Sequence, residues 1–108
     1  MKLSLLTLAA SALALTLVVP QARARDAAAH GRALVTEFCS ACHAVGRHDA
    51  STVVGAPPLR SLSRSYDLDR FVDALRHGIS SDHPEMPEFK FNRTDARDIQ
   101  AYLRSIQR

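Results

Sequence analysis

The run Cys39-Ser40-Ala41-Cys42-His43 determines how the rest of the chain is interpreted. It contains both cysteines of the protein, separated by two residues, and a histidine directly after the second one. Two thiols at this spacing can reach the two vinyl groups on one edge of a porphyrin, and the next residue then lies beneath the ring, where an imidazole can bind iron. The run therefore predicts covalent haem attachment at Cys39 and Cys42, with His43 as an axial iron ligand.

Two other interpretations of a Cys-x-x-Cys pair fit this chain less well. A thioredoxin-like dithiol is expected within a βαβ unit, whereas the sequence shows helical patterns and no convincing strand. A zinc site needs a second Cys-x-x-Cys pair or a paired histidine motif, and the sequence has neither. The dithiol alternative would require free thiols at Cys39 and Cys42.

A low-spin electron-transfer haem needs a second axial ligand, and Met86 is the candidate. The chain has two methionines, and Met1 belongs to the N-terminal segment discussed below. Met86 follows Pro84 by two residues and precedes Pro87. The prolines stiffen the loop, which favours a ligand over a core-filling side chain. His83 is the alternative ligand, and the other histidines are expected on the solvated surface.

The N-terminal segment has the three parts of a secretory signal. Lys2 gives a positive start, residues 3–19 carry no charge, and Ala22-x-Ala24 provides small residues for cleavage. We therefore predict a signal peptide at residues 1–24 and a periplasmic, exported domain at residues 25–108. The alternative is an uncleaved anchor, which is the only way in which we expect the protein to associate with a membrane.

The predicted mature chain is small and nearly neutral. Cleavage would leave 84 of the 108 residues, enough for one domain, and would lower the formal net charge from +3 to about +1 by removing Lys2 and Arg23. No basic run or aromatic-basic alternation is present, which excludes nucleic acid as an expected partner. A domain of this size has a marginal core of its own, so a bound haem is expected to complete it.

Periodic apolar positions predict three helices in the mature chain. The first is expected over residues 26–40 with Asp26 as its N-cap, and the second over residues 67–77, followed by Gly78. The last is expected to start with Thr94 as its N-cap and to run nearly to the end of the chain. The fold class predicted from this pattern is all-α.

The irregular stretch between the first two helices contains Gly55-Ala56-Pro57-Pro58-Leu59. We predict that a proline carbonyl here accepts the Nδ1–H of His43, a bond that orients an imidazole ligand; an ordinary loop turn is the alternative. Arg60 and Arg64 follow, and either pairing with haem propionates or solvation at the surface is consistent with the sequence. Apolar side chains expected around the haem are Val54, Leu59, Leu62, Phe71, Leu75, Phe89 and Ile99.

With these residues in place, the chain resembles the bacterial class I monohaem cytochromes c over nearly all of its mature region. The resemblance is carried by the attachment motif and by Gly31-x-x-Leu34, Pro58-Leu59, Gly78, Met86-Pro87-x-Phe89 and Ile99-x-Ala101-Tyr102-Leu103. It implies a small all-α domain of three or more helices wrapped around one covalent haem c, with one haem edge exposed. It also implies that the first and last helices cross, with Gly31 meeting the aromatic Tyr102.

The function predicted from motif and resemblance is one-electron transfer between a redox protein donor and a redox protein acceptor. With His43 and Met86 both on the iron, no open position is left for a substrate, so we do not expect an enzyme. Three alternatives keep the haem. They are a permanently bound cytochrome subunit of a periplasmic dehydrogenase or oxidase, a sensor in which a small ligand displaces Met86, and a peroxidase with an open sixth position.

Overall fold

The structure is a computed structural model that describes residues 3–108, with side chains described from Pro20 onward. Its elements are α1 (Leu3–Cys39), a 3₁₀ helix (Leu59–Arg64), α2 (Leu68–His77) and α3 (Arg93–Ile106). Within the described range the only β pairing is an isolated antiparallel bridge between Ile79 and Phe89. The predicted all-α class is confirmed.

Helix α1 is much longer than the sequence indicated. Its predicted N-cap, Asp26, lies inside the helix, which is continuous from Leu3 and includes Pro20. The residues just before Asp26 are mainly alanine, arginine and glutamine, strong helix formers that carry the helix past a potential cap. Met1 and Lys2, the start of the predicted signal segment, lie outside the described residues. Among the described residues, no helix combines the length and apolar character needed to span a membrane.

Helices α1 and α3 cross in direct backbone contact at Gly31. A β-carbon built at Gly31 would lie 2.9 Å from the backbone nitrogen of Ile99 and closer still to the carbonyl group of Asp98. The close crossing that the resemblance implied is therefore present, but the nearest atoms belong to the backbone of α3 and not to the ring of Tyr102. The Tyr102 hydroxyl instead donates a hydrogen bond to the carbonyl of Val45, at 2.5 Å.

The two shorter helices are capped by side chains at their N-termini. Asp67 caps α2, its side chain accepting from the backbone N–H groups of Asp69 and Arg70. The cap of α3 is Asn92 and not Thr94, because the Asn92 side chain accepts from the backbone N–H of Asp95 at 2.9 Å. Asparagine is at least as good a cap as threonine, so the helix begins two residues earlier than expected. Gly78 ends α2 with a φ of 115°, a value that side-chain-bearing residues rarely adopt.

The buried core lies where the inner faces of α1, α2, α3 and the 3₁₀ helix meet. The apolar residues of α3 are buried and pack with Val35 of α1 and Leu75 of α2. The full buried cluster is Val35, Leu59, Leu62, Leu75, Ala96, Ile99, Tyr102, Leu103 and Ile106. This is a small core, as expected for a domain of this length.

Candidate haem-binding site

One large, mainly apolar cavity opens beside this core. Its volume is about 630 Å³, within the range of roughly 300–1,000 Å³ found for ligand cavities. The cavity is bounded by α1, the 3₁₀ helix, α2, the loop after α2 and α3. All seven apolar residues predicted to surround a haem are among its lining residues: Val54, Leu59, Leu62, Phe71, Leu75, Phe89 and Ile99.

The end of α1 brings both cysteines and His43 to this cavity. Cys39 is the last residue of the helix, and its carbonyl accepts from the backbone N–H groups of Cys42 at 3.3 Å and of His43 at 2.9 Å. This tight turn places all three side chains along the cavity wall, with both cysteines partly buried. A two-residue spacing after a helix end therefore presents two sulfur atoms and one imidazole to the same space.

The environment of Cys39 does not suit a redox-active dithiol. Burial raises the pKa of the Cys39 thiol to about 11. Reactive cysteines in Cys-x-x-Cys motifs instead have lowered pKa values, often because they lie at a helix N-terminus. Cys39 lies at the C-terminal end of α1, where the helix dipole disfavours a thiolate.

His43 is oriented by the proline-rich loop, which confirms the predicted hydrogen bond from its Nδ1–H to a proline carbonyl. Its Nδ1 lies 2.8 Å from the carbonyl oxygen of Pro57. Because a carbonyl can only accept, Nδ1 carries the proton and Nε2 is left free to bind a metal. The loop is held in place by a bond from the backbone N–H of Leu59 to the carbonyl of Ala44, at 2.9 Å.

The loop after α2 brings Met86 to the same cavity. Its base is closed by the Ile79–Phe89 bridge, with N···O distances of 2.8 and 3.0 Å. At its tip, the backbone N–H of Met86 donates to the carbonyl of His83 at 3.1 Å, which closes a turn. Met86 is half-buried and lines the cavity.

The histidines separate into two groups. His83, the alternative ligand, also lines the cavity, but it is exposed and its Nδ1 accepts from the backbone N–H of Glu85 at 3.3 Å. His30, His48 and His77 are exposed and are not among the lining residues, in agreement with the prediction that they are surface residues.

An aromatic cluster that the sequence analysis did not single out fixes the loop of Met86 to α1. The ring of Phe38 packs edge-on against Phe89 and Phe91, with centroid distances of 5.9 and 5.3 Å. These contacts join the end of α1 to the base of the loop. The two-residue spacing of Phe89 and Phe91 after Met86 was the available signal, but it did not reveal their common partner on α1.

The arginine that lines the cavity is Arg70, and not Arg60 or Arg64. Arg60 donates to the carbonyl of Asp49 at 2.7 Å and Arg64 to that of Arg108 at 3.2 Å. Among the described lysines and arginines, only Arg70 lines the cavity. It lies on the same face of α2 as Phe71, Ala74 and Leu75, so helical periodicity was the signal that could have identified it.

These residues fit a covalently attached haem. The walls are apolar, two thiols and an imidazole share one side, and a thioether comes from a different loop. Sequence comparison supports the same assignment. Residues 26–103 match the family described as cytochrome C oxidase, cbb3-type, subunit III. The chain belongs to the bacterial class I monohaem cytochrome c family.

A second comparison agrees with this membership. Cytochrome c-552 of Bradyrhizobium diazoefficiens is 34% identical over 80 residues, covering 74% of this chain and 75% of the relative. No solved structure matches the chain. As a class I cytochrome c, the protein binds a c-type haem covalently and carries electrons between redox partners. The predicted family and cofactor are thus confirmed.

Proposed function

We propose that this cytochrome is a periplasmic one-electron carrier, its single haem attached at Cys39 and Cys42 and ligated by His43 and Met86. The observation that carries this proposal is the meeting of these four residues at one apolar cavity. Three of them come from the last residue of α1 and the turn that follows it, and Met86 comes from a loop more than forty residues later in the chain. Chance would rarely bring the only candidate thioether to the same space as the attachment motif.

Each side chain has a distinct role in this proposal. Cys39 and Cys42 would hold the haem through thioether bonds, and His43 would bind iron through the ring nitrogen that the Pro57 carbonyl leaves unprotonated. When bound, the haem supplies an Fe(III)/Fe(II) couple. The apolar walls would limit the contact of that couple with water, and a methionine ligand would raise its potential relative to bis-histidine ligation.

The loop geometry favours Met86 over His83 as the second axial ligand. Met86 is half-buried, whereas His83 is exposed and one of its ring nitrogens already accepts from the backbone N–H of Glu85. The bridge between Ile79 and Phe89 limits the movement of the loop. A weak neutral ligand benefits from such a preformed position because little ordering is needed when it binds.

With His43 and Met86 both bound to it, the iron would have no open position for a substrate. We therefore propose a carrier and not an enzyme. The proposed site of action is the periplasm, because residues 1–24 have the charge, apolar stretch and small-residue end of a signal peptide. The working domain would then be residues 25–108, and N-terminal sequencing of the secreted protein should begin at Arg25.

Absorption spectroscopy of the purified protein tests the ligation directly. We expect a c-type haem by pyridine treatment and a weak sulfur-to-iron band in the oxidised protein. Met86→Ala should lose that band and bind carbon monoxide when reduced, since it opens an axial position. His83→Ala is the matched control from the same loop and should keep the band.

The opposite results would contradict specific parts of the proposal. Persistence of the band in Met86→Ala would contradict Met86 as the sulfur ligand, and absence of the band from wild-type protein that carries haem would favour His83 or an open position. Carbon monoxide binding by the reduced wild-type protein would favour a sensor over a carrier. Absence of covalent haem from protein matured in the periplasm would contradict attachment at Cys39 and Cys42.

A second candidate function is a cytochrome subunit bound permanently to a periplasmic oxidase or dehydrogenase. The observation that favours it is the matching family, whose description names a subunit of an oxidase. Size-exclusion chromatography of the protein from its native membrane and periplasmic fractions distinguishes the two. A free carrier elutes at the mass of one small domain, whereas a subunit elutes with its complex.

A further inference from the structure

A second cavity lies apart from the haem site and has a different chemical character. Its volume is about 410 Å³, and it shares no lining residue with the haem cavity. It is formed where α1, the segment after His43 and the last turns of α3 meet. The lining residues are Arg32, Gly46, Arg47, His48, Tyr102, Ser105 and Ile106.

The charge of this cavity is positive and has no opposing carboxylate in its lining. Arg32 and Arg47 each contribute a guanidinium group, and neither forms an ion pair within the described part of the chain. The adjacent Asp49 accepts from the backbone N–H of Gly46 at 2.8 Å and pairs with Arg60, so its charge is already engaged.

Arg47 is held in position before any ligand binds. Its Nη2 donates to the carbonyl of Ser105 at 2.6 Å, in the last turn of α3, where carbonyls lack helical partners. One of its five N–H groups is used in this bond, which leaves the others for a ligand. A guanidinium fixed in this way loses little conformational freedom when it binds an anion.

A third guanidinium lies at the edge of the same cavity. The Nη2 atom of Arg108 is 3.4 Å from both ring nitrogens of His48, which itself lines the cavity. Three arginines and one histidine, drawn from α1, the following segment and the end of the chain, therefore gather around one opening. Such convergence is repulsive unless a negative charge is shared among them.

The geometry points to a binding site for a phosphate-type oxyanion, either free phosphate or the phosphate of a lipid headgroup. Planar guanidinium groups match phosphate oxygens through paired hydrogen bonds. Because none of these residues faces the haem cavity, the site is independent of haem attachment and axial ligation.

Calorimetric titration of the holoprotein with inorganic phosphate, at constant ionic strength, tests this site. We expect saturable binding at one site and a rise in the unfolding temperature with phosphate concentration. R32Q and R47Q should each weaken binding by about tenfold, since each removes charge-assisted hydrogen bonds. R97Q is the matched control, because Arg97 is exposed on α3 and outside the cavity; it should change the affinity by less than about twofold.

The source of the phosphate group is decided by a second measurement with vesicles of phosphatidylglycerol and, for comparison, phosphatidylcholine. Binding to the anionic vesicles that is lost in R47Q and retained in R97Q assigns a lipid headgroup, while calorimetric binding without vesicle binding assigns free phosphate. Equal weakening in all three variants would mean diffuse charge attraction and would overturn the site. Absence of both kinds of binding, with an intact haem spectrum, would also overturn it without affecting the proposed electron carrier.

Discussion

Replacement of Gly31 by alanine should destabilise the protein, although alanine is the better helix former. A β-carbon at this position would lie 2.9 Å from the backbone nitrogen of Ile99 and closer still to the carbonyl group of Asp98. These are main-chain atoms of a second helix, so they cannot rotate away as a flexible side chain would. The helices α1 and α3 would have to separate at their crossing.

Two opposing effects determine the magnitude. Alanine gains about 1 kcal/mol over glycine in a helix interior. Overpacking a close contact costs roughly 1–3 kcal/mol, and a rigid backbone neighbour places this site at the upper end. The net expectation is a loss of about 2 kcal/mol in the free energy of unfolding. For a domain of this size, that corresponds to a fall of roughly 8–16 °C in the unfolding temperature.

The assay is guanidinium unfolding of the holoprotein, followed by far-ultraviolet circular dichroism. Ala33→Gly supplies the matched control, because Ala33 is exposed on the same helix and reports helix propensity alone. It should lose about 1 kcal/mol. A Gly31→Ala variant that is as stable as the wild type, or more stable, would refute the close crossing, because only the propensity gain would then be acting.

Three further predictions concern individual contacts. Tyr102→Phe removes the hydrogen bond to the Val45 carbonyl and should cost about 1 kcal/mol in unfolding free energy. The positive charge of Arg70 beside the haem cavity favours the reduced state of the haem. Arg70→Gln removes this charge and should lower the midpoint potential by roughly tens of millivolts. Hydrogen bonds from the backbone N–H groups of Asp69 and Arg70 lower the pKa of Asp67. The stabilisation that the Asp67 carboxylate provides is therefore fully present above the unfolded-state pKa, near 3.9. It is lost as the pH falls through the lower folded-state pKa.

Each of these predictions has a result that would contradict it. An unchanged unfolding temperature for Tyr102→Phe would mean that the hydroxyl is solvated. Arg93→Gln is the charge control for Arg70, being exposed and outside the cavity, and an equal shift in both variants would remove any special role for Arg70. For Asp67, unfolding is measured against pH in the wild type and in Asp67→Asn, and a difference between them that does not change as the pH is lowered would contradict the linkage.

The sequence by itself determined the family, the cofactor and most of the helical pattern. These depend on local order: the spacing of Cys39, Cys42 and His43 is set by the covalent chain, and an apolar period of three to four residues marks a helix face wherever it occurs. The proline carbonyl partner of His43 was predictable for a similar reason, since the prolines follow the motif at a short distance.

Only the tertiary structure decided which residues meet across the chain. It placed Arg70 at the haem cavity and engaged Arg60 elsewhere, gathered Phe38 with the aromatic residues of the Met86 loop, and set Gly31 against the backbone of α3. It also formed the basic cavity around Arg47. Such contacts depend on how helices cross and on which neighbour each charged group finds. A local pattern can mark a face, as it does for Arg70, but the partner of that face is set by packing between segments far apart in sequence.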